Sequence, residues 1–240
     1  MTSVRIERRF QGPARSGNGG YVAGLAGTAL AGVLADDLVP QVTLRVPPPM
    51  EIDLELVVSS TGAQLRYGEQ LVAGAVPVPA DFLADATIDP VSFEEARRAE
   101  AGYRGLTKHP FPSCFVCGLE NPRGLQLKPG PVGDGRTACT WTPATDLASD
   151  GLVDPVFLWA ALDCPSGWAI DLEGRPSVLG QLTACVDAQP QPGEECVVMG
   201  QLRELNGRKT LTASTLYDSD GRVLARARAT WIQVDPALFN

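Results

Sequence analysis

The stretch Asn18-Gly-Gly-Tyr-Val-Ala-Gly-Leu-Ala-Gly-Thr-Ala-Leu-Ala-Gly-Val-Leu-Ala35 sets apolar residues at positions 22, 25, 26, 29, 30, 33 and 34, the spacing of one helix face. Asn18 suits the N-cap, and the glycines after it let another backbone come close. The plan recurs 136 residues later. Asp154 stands as N-cap, Pro155 takes the first helical position, and apolar residues follow at 156, 157, 160, 161 and 164, so a second helix is predicted there. Each half of the chain thus carries one apolar helix.

Strand signals follow each helix. In the first half they cover 41–46, 51–59, 63–67 and 69–78; in the second, 178–187, 195–204, 208–217 and 222–234. Asn206-Gly207 and Asp218-Ser-Asp-Gly221 are hairpin turns by composition. Pro47-Pro48-Pro49 and Pro190-Gln-Pro-Gly193 break the two series at the same place. One further strand precedes each helix, at 4–10 and 136–142. Self-similarity on this scale is a repeat of a whole supersecondary unit. Between the halves, residues 89–103 read as a charged, solvated linker helix with an Asp89 cap and Pro90 at its start. The divisions expected are a worn N-terminal unit at 1–79, a linker at 80–112 and a C-terminal unit at 113–240, packed together like a covalently fused dimer.

Composition narrows the function. The 240 residues are 44% apolar and 20% charged with a net charge of −8, which describes a folded chain. Only three residues are Lys, so no clustered basic surface for nucleic acid is expected. The longest apolar runs stop well short of the ~20 residues of a membrane span, and Met1–Gly12 lacks the apolar core of a secretory signal. A cytoplasmic protein with no nucleic-acid or membrane partner is expected. Six scattered cysteines then read as small core residues rather than a disulfide framework. His109 is the single histidine. Any mechanism with a histidine base must run through it. Cys114-x-x-Cys117 with His109 upstream offers three local metal ligands where a structural zinc site takes four, so no metal is expected.

Cys114-Phe-Val-Cys117-Gly118-Leu-Glu-Asn121-Pro122-Arg-Gly124-Leu125-Gln-Leu127 resembles the N-terminal signature of the phenylacetyl-CoA-thioesterase-like branch of the hotdog acyl-CoA thioesterases, and Trp159-Ala-Ala-Leu-Asp163 is similar to that family's helix. The likeness covers most of 113–234; residues 5–78 share mainly Gly19-Gly20-Tyr21 and strand order. It implies an α+β double hotdog: two antiparallel sheets, each wrapped round one central helix, packed as a pseudo-dimer, with a homodimer of such chains expected.

The resemblance also implies a site. The family opens its helix with a His-Gly-Gly turn whose N–H groups polarise a thioester carbonyl, and an acid nine residues on serves the partner's turn. Here the first half has Asn18-Gly19-Gly20 but Gly27 in the acid's place; the second has Asp154-Pro155-Val156 in the turn's place but keeps Asp163. The losses are complementary, so one intact composite site is expected from Asn18, Gly19, Gly20 and Asp163, and none from Asp154 and Gly27. Asp163 would be base or nucleophile. Tyr21, Phe157 and Trp159 are candidates for the acyl pocket, and Arg208 for a coenzyme A phosphate. The substrate implied is a small-molecule acyl thioester, with coenzyme A only as part of it and no other cofactor. The alternative is a non-catalytic acyl-thioester binding or assembly protein of the same fold. Turnover of a thioester panel separates the two. A hydratase is disfavoured because neither helix carries a histidine, and a Ser-His-Asp hydrolase because no Gly-x-Ser-x-Gly elbow occurs.

Overall fold

A computed structural model describes residues 2–172 and 174–235; the outer limits expected for the two units, at 1 and 240, lie outside them. In chain order the elements are β1 (Thr2–Arg5), α1 (Gly19–Ala31), β2 (Leu38–Leu44), β3 (Asp53–Ser59), β4 (Gly62–Tyr67), β5 (Gln70–Pro79), α2 (Phe93–Ala99), β6 (Gly130–Gly133), β7 (Arg136–Trp141), β8 (Ala148–Ser149), β9 (Leu152–Val153), α3 (Pro155–Ala161), α4 (Asp163–Trp168), β10 (Ser177–Val186), β11 (Cys196–Asn206), β12 (Lys209–Tyr217) and β13 (Val223–Gln233).

Where two large sheets were expected, eleven of the thirteen named strands form one, and β8 pairs with β9 apart from it. Eleven strands run in the order β1-β3-β4-β5-β2-β10-β13-β12-β11-β7-β6, and every ladder in that sheet is antiparallel. From its centre outward the sheet reads β2-β5-β4-β3-β1 on one side and β10-β13-β12-β11-β7 on the other. Chain order maps one series onto the other, strand for strand. The join is the β2–β10 pair, where Val42 faces Leu182 and the flanking partners are Thr43 with Gln181 and Gln41 with Thr183. Gln41 donates to the Thr183 hydroxyl (3.1 Å) and Gln181 to the Thr43 hydroxyl (3.0 Å). Two Gln-x-Thr triplets thus close the seam reciprocally, each satisfying the other's polar groups.

Both long apolar stretches pack beneath this sheet and against each other. Gly20, Gly24 and Gly27 lie on one face of α1, four and three residues apart, and a β-carbon on each would come within 2.5–2.9 Å of Asp163, Trp159 or Val156. Here the glycines are explained by close approach: any side chain would hold α3 away from α1. The main core gathers residues of both halves, among them Val22, Leu30, Leu65, Leu158, Leu162 and Leu182, all fully buried.

The second apolar stretch is not one helix. Its run from 156 to 162 is continuous in hydrophobicity, yet α3 stops at Ala161, short of the run's end, and α4 begins at Asp163. Pro165, which lacks an N–H and cannot sit in a helix interior, takes a place in the first turn of α4. Two buried carbonyls here are met by side chains from the sheet: Ser214 donates to Leu162 O and Thr137 to Pro165 O, both at 2.7 Å. These bonds fix α4 on the sheet. The linker helix also starts later than its sequence suggested, with Ser92 rather than Asp89 as cap, in a reciprocal capping box with Glu95.

Candidate functional site

Asn18 is held by three interactions, and its amide orientation follows from them. Its Oδ1 accepts the Tyr21 N–H at 2.8 Å, capping α1 as expected. Its Nδ2 is thereby turned away from the helix, where it donates to Asp163 Oδ2 at 2.9 Å and to Cys114 Sγ at 3.7 Å. Gly20 N donates to the same Asp163 oxygen, also at 2.9 Å. The turn of the first half and the acid of the second are therefore in direct contact.

Asp163 is 2% exposed. Its Oδ1 has no hydrogen-bond partner among the described residues. Burial pushes the carboxyl up from its ordinary value to about 7; the nearby Cys114 adds to this, and the Gly20 N–H and Asn18 amide oppose it. Its place differs from the sequence expectation: Asp163 opens α4 rather than ending a longer helix, so it faces the favourable end of a dipole.

The N–H groups at the start of α1 are nearly all taken. Asn18 N goes to Phe10 O and Val22 N to Asn18 O, Gly20 N to Asp163 and Tyr21 N to Asn18. Gly19 N is what remains, and Gly19 lines the adjoining cavity while Gly20 does not. Gly20 N, expected as an oxyanion donor, is engaged by Asp163 Oδ2.

That cavity has a volume of about 260 Å³, and its walls include Gly19, Leu44, His109, Cys114, Asp163 and Trp168. The residues expected to line it from aromatic character lie elsewhere. Tyr21 stacks on Phe10 with ring centroids 4.0 Å apart, and both gather with Phe115 and Phe157 into one buried cluster. Trp159 is turned against Gly27. Arg208 is exposed and donates to Gln233 O at 3.0 Å, closing a strand end. These four are packing or capping residues because the pleat and the helix face, not chemical type, decide which way each points.

The second turn has a different fate. Asp154 occupies the N-cap position of α3 but makes no side-chain cap; its carboxylate accepts the Ser149 hydroxyl at 3.0 Å. The space beside Gly27, where that site's acid would stand, is filled by the Trp159 indole.

The cysteine-containing signature wraps over the turn before α1. Phe115 N donates to Gln11 O and Asn121 Nδ2 to Arg9 O, at 2.7 and 2.8 Å. This brings Cys114 and His109 to the cavity wall. His109 is half-buried, and the loss of solvent lowers its pKa; Nδ1 accepts from Phe111 N and Nε2 meets Cys117 O. Both nitrogens are thus engaged. Cys164 and Trp168 were missed as cavity residues, and the one signal for Cys164 was its place next to Asp163.

No protein-family model and no curated protein matches the chain. Among solved structures, a putative thioesterase from Novosphingobium aromaticivorans aligns over 97% of this chain and 95% of its own, with a TM-score of 0.64 at 16% identity. The tesB protein of Mycobacterium avium subspecies paratuberculosis aligns over 93% and 89%, with a TM-score of 0.58 at 12% identity. This is the hotdog fold. Both alignments run across nearly the whole chain, so the hotdog likeness takes in the first half, whose sequence signature is the weaker, along with the second. No described helix is long and apolar enough to cross a membrane.

Proposed function

We propose that the chain is an acyl-thioester hydrolase, a double hotdog in which residues 1–79 and 113–240 form two units joined by 80–112, with one composite active site between them. The observation that carries this reading is the double contact of Asp163 Oδ2 with Asn18 and Gly20, an acid from one half fixed by the turn of the other. Nothing in core packing calls for a buried carboxylate with one oxygen held by two donors and the other left without a partner.

In the proposed reaction the acyl thioester lies along the cavity with its carbonyl oxygen toward Gly19 N. Asp163 Oδ1 takes a proton from water, whose oxygen attacks the carbonyl carbon. The oxyanion is stabilised by the Gly19 N–H and the positive end of α1. Collapse breaks the carbon–sulfur bond, and the leaving thiolate takes the proton from Asp163. The products are a carboxylic acid and a free thiol. The cavity's modest volume favours a small acyl group over a long chain.

Asp163→Ala, with folding checked by circular dichroism, should stop thiol release from a panel of acyl-CoA esters. Unchanged release would remove Asp163 from the reaction. Because the carboxyl is raised to about 7, its base form is present above that pH and lost as pH falls through it. In chelator-treated protein, kcat/KM should therefore fall about tenfold per pH unit below that point; a flat profile from pH 5 to 8, a range of about three units around that value, would contradict a titrating base. The non-catalytic alternative draws on one feature, the occupation of Gly20 N by the acid itself. It gains the field if no ester is turned over while acyl-CoA raises the Tm.

A further inference from the structure

Three cysteines from distant parts of the chain converge beside the cavity. Cys114 and Cys117 come from the turn that wraps over α1; Cys164 is the second residue of α4. Their sulfur atoms all lie within 4.8 Å of one another, and Cys114 Sγ is 3.7 Å from Cys164 Sγ. All three are free thiols, exposed by only 3%, 3% and 7%. In a tetrahedral zinc–thiolate site, bonds of ~2.3 Å put the sulfurs roughly 3.8 Å apart. The cluster already has close to that geometry.

A hydrogen-bond donor already faces one of the three sulfurs: Asn18 Nδ2 lies 3.7 Å from Cys114 Sγ. The turn is drawn tight by Gly118, whose N–H returns to Cys114 O at 2.9 Å; a β-carbon at Gly118 would collide with the backbone of Pro112 and Cys114. The two motif sulfurs are thereby held at one end of a closed loop. Cys139 and Cys196, fully buried on β7 and β11, belong to the apolar core instead.

His109 does not complete the set, since both its nitrogens are engaged by backbone groups. The sequence expectation of no metal weighed His109 with the Cys-x-x-Cys pair; the fold replaces His109 with Cys164. All three cysteines line the cavity, so a fourth position would open into it. Three protein ligands and one open position is the arrangement of a metal that meets water or a ligand, not of a closed structural site.

We propose that Cys114, Cys117 and Cys164 bind one soft divalent cation, zinc by choice of ligand, with its fourth position open to the cavity. Thiolate donors select this class over magnesium or calcium. Binding replaces thiol protons, which leave to solvent, so affinity rises with pH. The inference is independent of thioester hydrolysis.

The test is titration of reduced, chelator-stripped full-length protein with cobalt(II) under anaerobic conditions. One equivalent per chain should produce the thiolate-to-cobalt charge-transfer band together with the strong visible bands of tetrahedral cobalt. Zinc should displace it, and native mass spectrometry should find one zinc with thiol protons lost. Cys164→Ser, Cys114→Ser and Cys117→Ser should each abolish or sharply weaken the charge-transfer band; Cys185→Ser, on a strand and half exposed, should leave it unchanged. No charge-transfer band in the wild-type protein, or a full band in Cys164→Ser, overturns the site. Should the serine variants fail to fold, cadmium NMR of the wild-type protein counts the sulfur ligands: three support the proposal, and two or fewer overturn it.

Discussion

The two helix turns of this chain occupy matching places in the sheet order and have diverged in opposite directions. At the first, Asn18 caps α1, Gly20 admits the neighbouring backbone, and an acid from the other half is drawn in. At the second, Pro155 removes an N–H, Asp154 turns aside to Ser149, and the room an acid would need is filled by Trp159. One junction has kept a polar contact between halves, and the other has become core. On the proposed reading, a fused pair need not preserve two sites: one junction would carry polar chemistry and the other would hold the halves together.

The most severe way to break this division is Trp159→Ala. Removing a fully buried indole should cost about 3–5 kcal/mol in denaturant unfolding, while the fraction that stays folded keeps the kcat of the wild type. Loss of turnover in folded protein would mean that the two junctions are not separate. Gly20→Ala is the counterpart at the polar junction. Its β-carbon would meet Asp163 Cβ at 2.5 Å and Trp159 O at 3.0 Å, so overpacking should cost about 1–3 kcal/mol and displace the acid, lowering kcat by more than the change in stability explains. Full activity at reduced Tm would reduce Gly20 to a packing residue. The smallest effect is expected of Arg208→Ala. With its guanidinium on Gln233 O at an exposed strand end, stability should change by about 0.5 kcal/mol or less and KM for coenzyme A esters should not move; a raised KM would restore Arg208 as a phosphate anchor.

Much of this was legible in residue order. The ends of β2–β5 and β10–β13 fall within three residues of where alternation and turn chemistry put them, because turn residues fix register locally. The pairing of the Asn18-Gly19-Gly20 turn with Asp163 was implied by the family resemblance, and the structure puts the two in direct contact. What residue order hid is three-dimensional. The break between Ala161 and Asp163 hides at the end of an unbroken apolar run, with Pro165 as its one trace. Cys164 lies 47 residues beyond Cys117, and only the docking of α4 on the sheet brings it to the motif. The aromatic candidates failed for a related reason: Tyr21, Phe157 and Trp159 are apolar enough for a pocket or a core, and the glycine face of α1 decided for the core.

The central claim, one working junction out of two, is tested most directly by measuring thiol release for Asp163→Asn and Asp154→Asn side by side. Loss of a general base should lower kcat/KM of Asp163→Asn by about a hundredfold or more, with Asp154→Asn indistinguishable from the wild type. Comparable losses in both, or loss in Asp154→Asn alone, would contradict it.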